Sequence, residues 1–151
     1  MIALQDCKVE VPLATLATVA TNSSNYAYLD TIGWDYAKII AVIGTAATGN
    51  AAFKGLILTE GTNSTAASAI VAFTGGTVTS ASVGFVIPNF TGITEPTCVV
   101  LNVNLKKRER YLRLLVTPGT AAPVSVVCVL GRGREATPGS DDGNAALIVD
   151  G

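Results

Sequence analysis

The chemistry open to this chain is bounded first by what it lacks. None of its 151 residues is histidine, so the commonest general acid or base is missing. A Ser-His-Asp or Cys-His arrangement cannot be assembled. The eleven carboxylates are scattered, and the adjacent pair Asp141-Asp142 stands in a Gly/Ser/Pro-rich stretch. Asp30 and Asp35 flank a strand turn, but a glycosidase needs two carboxylates at fixed separation on a rigid frame, and solvated turn aspartates are the plainer reading. No GxGxxG or GxxxxGK[ST] loop occurs. GRGRE (131–135) superficially matches a glycine-rich anion loop, yet no helical pattern follows it. Cys7, Cys98 and Cys128 lack CxxC spacing, so a zinc site from one chain would need three thiolates plus a carboxylate. Cys98 and Cys128 stand in apolar runs, where a reduced cysteine behaves as a small hydrophobe. The chain is therefore read as not an enzyme, with no catalytic residues, no metal and no cofactor.

What remains is recognition by surface. Seven of the ten basic residues fall in the last third: Lys106, Lys107, Arg108, Arg110, Arg113, Arg132 and Arg134. The run LKKRERYLRL (105–114) has three readings: a solvated hairpin, a docking patch for an acidic protein surface, or a phosphate patch. The last is disfavoured, because interleaved stacking aromatics are absent and the net charge is −1, which gives no global field for nucleic acid or an anionic membrane. Trp34 reads as core or sheet edge.

Composition points the same way. The chain is 49% hydrophobic and 14% charged, against roughly 25% charged in an average soluble domain. A surface poor in charge loses little solvation when a protein covers it. No window reaches the ~20 apolar residues that span a bilayer. PLATLATVA (12–20) is preceded by Asp6 and Glu10 where a signal peptide wants positive charge, so synthesis in a cytoplasm is expected.

The elements that position these residues read as strands. Turn signals separate YAYLDTI (26–32), DYAKIIAVIG (35–44), FKGLILTE (53–60), ASAIVAFTGG (67–76), SVGFVIPNF (82–90), TCVVLNVNL (97–105), RYLRLLVT (110–117) and PVSVVCVLG (123–131). Their spacing is that of all-β sandwiches, and no sustained helical period appears. About eight strands suit two packed sheets, with a jelly roll as the leading topology. Residues 1–22 read as an N-terminal arm that adds a short strand or lies along a neighbour. Residues 23–134 form the sandwich, and 135–151 form a polar C-terminal tail ending in Ala-Leu-Ile-Val. That apolar end leaves two readings open, docking onto a neighbouring subunit or a frayed terminus.

Three motifs carry a resemblance. Tyr28, Asp30, Thr31, Gly33, Asp35, Tyr36 and Ala37 give an aromatic Y-x-D-T-x-G-x-D-Y-A opening. Arg110 to Gly119 give R-Y-L-R-L-x-V-T-P-G, and Val127 to Arg132 close it. Over residues 26–134 the chain resembles small structural proteins of tailed bacteriophages. The resemblance implies a head decoration or cement protein of the virion, jelly-roll-like, sitting as a homotrimer on the shell of major capsid protein. The expected partner contacts are Val9, Val11 and Leu13 of the arm with Lys106, Lys107, Arg108 and Arg110 of the basic run. The alternatives are a tail, baseplate or fibre-anchoring component, or a host-surface or carbohydrate-binding sandwich. The last wants an exposed aromatic platform, for which four tyrosines and one tryptophan leave little material.

Overall fold

The computed structural model describes residues 7–14, 18–45, 53–66, 68–77, 83–87, 96–132 and 147–150. Ten strands form within them: β1 (Cys7–Ala14), β2 (Asn25–Asp30), β3 (Tyr36–Ile43), β4 (Phe53–Gly61), β5 (Ser68–Gly76), β6 (Phe85–Val86), β7 (Thr97–Asn104), β8 (Tyr111–Pro118), β9 (Val124–Gly131) and β10 (Leu147–Asp150). One sheet has the order β1-β9-β3-β7-β10 and the other β2-β8-β4-β5-β6. Without the short strands β6 and β10, each sheet has four antiparallel strands. Successive strands mostly alternate between sheets. This is the double Greek key of a jelly roll, so the two-sheet sandwich read from the sequence is the fold.

Alternation explains which residues fill the interior. In β8, Leu112, Leu114 and Val116 are buried while Tyr111, Arg113, Leu115 and Thr117 face out. In β3 the inward set is Ala37, Ile39, Ala41 and Ile43, and in β9 it is Val124, Val126, Cys128 and Leu130. Phe53, Leu56, Leu58 and Phe73 meet them from the other sheet. The sequence places Phe53 on the face of Gly55 and Ile57. A register shift between Phe53 and Gly55 instead turns the ring inward with Leu56 and Leu58, because an irregularity of one residue flips every side chain beyond it.

The three resemblance motifs meet at one corner. Thr31 is buried and donates its hydroxyl to the Arg110 carbonyl at 2.6 Å. The Asp35 N–H donates to the Gly131 carbonyl and the Leu105 N–H to the Asp35 carbonyl. Gly33 turns the chain at φ +78°, a left-handed value that glycine adopts without penalty. Arg132 Nε donates to its carbonyl at 2.8 Å. These residues tie β2 and β3 to the ends of β7, β8 and β9, so the motifs are the lock of a sheet-to-sheet corner.

Three expectations are corrected. The basic run is not a hairpin: it joins β7 in one sheet to β8 in the other through a 3₁₀ turn at Leu105–Lys107, which the Asn104 side chain caps. The apolar C-terminal end folds back onto its own domain. Leu147–Asp150 pairs in parallel with β7, with Val149 buried. The sandwich begins before residue 23: of the arm's two readings the added strand holds, with Cys7–Ala14 an edge strand paired with β9. The remainder of the arm and tail falls largely outside the described residues. The strand read at 82–90 shortens to Phe85–Val86 within the described part.

Candidate protein-docking surfaces

A sandwich exposed to water on both sides presents polar residues outward. Both sheets here mix apolar or aromatic side chains into that face. Strand pairing sets the outer face of the β2-β8-β4-β5 sheet. Tyr26 lies opposite Leu115, which lies opposite Ile57, which lies opposite Thr74. In the adjacent row stand Tyr28, Arg113 and Thr59, and beyond them Asp30 and Tyr111. Tyr26 and Tyr28 are 42% and 53% exposed, with ring centroids 6.3 Å apart.

Guanidinium groups stack on this face. Arg113 lies 5.1 Å from the Tyr26 ring centre and Arg110 lies 4.7 Å from that of Tyr111. Arg113 Nε also donates to Thr59 Oγ1 at 3.3 Å. Arg110 holds Asp30 in a two-pronged pair, Nε to Oδ1 at 2.9 Å and Nη2 to Oδ2 at 2.6 Å. The Arg110 side-chain hydrogen bond pulls the Asp30 carboxyl below its ordinary value of 3.8 against the opposing effect of burial, with the Ile32 N–H and the guanidinium charge adding to the lowering. Planar stacking on rings holds an arginine in one pose and lowers the entropy lost when a partner arrives.

The other sheet's outer face is aliphatic. Val127 lies opposite Ile40, and Ile40 opposite Val100. Val129 is flanked by Val9 and Lys38, while Val42 stands between Ser125 and Cys98. Val127, Val129, Ile40 and Val42 are half-buried, and Val9 and Val11 are 64% and 57% exposed. The register of β1 makes this face more unusual. Val9 points outward, whereas Lys8 and Glu10 oppose Leu130 and Cys128 on the core side and pair with each other. Val9 and Val11 of β1 thus face solvent while Lys8 and Glu10 line the rim of the core.

The structure divides the residues expected to bind a partner. Val9 and Val11 stand exposed on the aliphatic side, but Leu13 packs against the core, beyond a bulge that follows Glu10. Lys106 and Lys107 are exposed, with Lys106 Nζ 5.3 Å from the Tyr36 ring centre. Arg108 is half-buried beside Glu60 at 3.6 Å, and Arg110 is engaged with Asp30. They are therefore not one patch. Trp34 is half-buried against the core beneath Arg132, whose guanidinium is 4.8 Å from the ring. The tyrosine face went unseen because Tyr26, Tyr28 and Tyr111 lie far apart in sequence. The outward positions of YAYLD and RYLRLLVT, read as facing strands, were the available signal.

Two further chemistry-bearing groups, Glu60 and Cys128, are engaged in structure. An open polar cleft of about 250 Å³ is lined by Glu60, Gly61, Thr62, Asn63, Thr65, Ser68 and Glu109. Its Glu60 carboxylate accepts the Glu109 N–H at 3.1 Å and faces Arg108. Burial, with the Glu10 charge nearby, pushes the Cys128 thiol up to about 12, which leaves it protonated and a poor nucleophile at neutral pH. Among the described residues no three His, Cys, Asp or Glu side chains group as metal ligands, and no helix is long and apolar enough to cross a membrane. The chain matches no protein-family model, no curated protein and no solved structure.

Proposed function

We propose that this chain is a bacteriophage capsid decoration protein that docks on the shell of major capsid protein through the outer face of the β2-β8-β4-β5 sheet. One observation carries the reading. A sheet face that water alone would fill with polar side chains carries three tyrosines, Leu115, Ile57 and two ring-stacked arginines. Tyrosine and arginine are the residues most enriched at binding hot spots, and charge-poor surroundings suit burial. Arg110 with Asp30 forms the polar edge of the patch. The resemblance over residues 26–134 supplies the identity of the partner. Binding only the assembled shell would stabilise it by mass action.

The test is cosedimentation with shells stripped of the protein. Tyr28→Ala removes a half-exposed ring that supports no core contact, so the fold stays intact. Binding is expected to weaken about tenfold or more, the loss typical of a hot spot. Full-strength binding by this variant would remove the face from the interface.

The same tyrosines favour a second reading, a sugar-binding sandwich, and they correct the expectation that the aromatics leave little to build a platform. Two of the three rings carry a guanidinium on the face where a sugar would stack, which ranks this reading second. Glycan-array binding that Tyr28→Ala abolishes would reverse the order.

A further inference from the structure

Resting on the docking reading above, the geometry points to the chemistry of the partner's side: Arg113 receives a carboxylate, the side chain of an Asp or Glu on the surface that covers it. Arg113 stands in the middle of the tyrosine face. Across the strands its neighbours are Tyr28 and Thr59, and along β8 the same face carries Tyr111 and Leu115. Its guanidinium lies over Tyr26. None of these neighbours carries a charge at neutral pH.

Three observations carry the assignment. First, the charge of Arg113 is unanswered. Among the described residues no carboxylate pairs with it. Asp30, the carboxylate on this face, is held by both prongs of Arg110. Second, the fork is posed. Thr59 is 6% exposed, and its hydroxyl donates to the Arg113 carbonyl at 3.1 Å while accepting Arg113 Nε at 3.3 Å. A hydroxyl has one donor and two acceptor sites, so it holds both bonds at once. With Nε pinned and one ring face against Tyr26, the terminal nitrogens Nη1 and Nη2 have no partner among the described residues. Two parallel N–H donors match the two oxygens of a carboxylate. Third, docking covers this group. A guanidinium taken out of water without an opposite charge is costly, so a surface that fits the tyrosines must also answer Arg113. One unpaired cation among uncharged neighbours matches one negative charge. A nucleic-acid backbone would draw on a row of cations, which this face does not offer.

The experiment uses the full chain and stripped shells in cosedimentation, with thermal melting as the fold control. Arg113→Gln keeps a polar side chain and removes the charge. It should weaken binding about tenfold or more and flatten the decline of binding with added salt. Wild-type affinity and salt dependence in this variant, while Tyr28→Ala binds weakly, overturn the inference and leave docking on this face standing. If both variants bind fully, the docking reading falls and takes this inference with it. Should Arg113→Gln fail to fold, Arg113→Lys decides, because it keeps the charge. On shells at saturating concentration, a water-soluble carbodiimide should join its new amine to the partner's Asp or Glu as an amide, the reagent taking up the lost water as a urea. Peptide mass spectrometry reads the joined pair. A bound lysine variant that joins no shell carboxylate overturns the inference.

Discussion

Arg110 answers Asp30 across the corner where β2 ends and β8 begins, and it lies over Tyr111 in the same pose. Both charges are well exposed to solvent, so the pair orients the edge of the tyrosine face more than it stabilises the fold. Its trace is visible in titration. A carboxyl held below its ordinary value contributes stability above that value and loses it as pH falls through the folded one. The loss therefore lies below pH 3.8 and is screened by salt. In Arg110→Ala the Asp30 carboxyl should titrate higher than in wild type, followed by NMR. An unshifted titration would mean that the two side chains do not meet in solution. The same stacking accounts for the fate of the basic residues. Lys106, Arg110, Arg113 and Arg132 each lie over an aromatic ring of the protein's own, which a linear reading of the LKKRER run cannot show.

At the scale of elements, the strands with clear alternation were legible. The expected 35–44, 97–105 and 110–117 contain the observed Tyr36–Ile43, Thr97–Asn104 and, within one residue, Tyr111–Pro118, because inward and outward residues differ at every step. β1 was obscured by its own chemistry. Lys8, Glu10 and Pro12 interrupt the apolar pattern, and the bulge between Glu10 and Leu13 breaks its period. β10 was obscured by position, since nothing in a four-residue apolar run states that it will lie beside β7. β6 survives as two residues because Gly84 permits a close approach to β5. A Cβ there would overlap the Val71 carbonyl oxygen and lie 2.7 Å from Ala72 Cα. The weight of β10 can be measured. Val149 is 8% exposed, so Val149→Asp puts a carboxylate where β10 meets the core and frees the β7 edge. Stability should fall by about 2–3 kcal/mol, read from the urea midpoint, and an unchanged midpoint would mean β10 adds nothing to the fold.

For the molecule as a whole, the two sheets share one core and present two different outer faces, one aromatic and cationic, the other aliphatic. In the sequence, low charge alone leads to the expectation of association. It could not say where, because a face is a property of strand order, and alternation does not fix order. The exposed Lys106 and Lys107 lie at a corner between the faces, where charge governs encounter more than affinity. Lys106→Ser with Lys107→Ser should slow shell association at low salt and leave dissociation unchanged, measured by surface-binding kinetics. An unaltered on-rate would assign both lysines to solvent.

The pairing of Cys7–Ala14 with Val124–Gly131 also sets a clock on biosynthesis. β1 closes against β9, more than a hundred residues later in the chain, and β3 lies on the other side of β9. At about 5–20 residues per second, the ribosome takes several seconds to supply β9. Until then β1 and β3 have emerged without the strand that separates them, and Ile39, Ile40, Val42 and Ile43 of β3 stand open to water. The nascent chain is most vulnerable to aggregation in that interval.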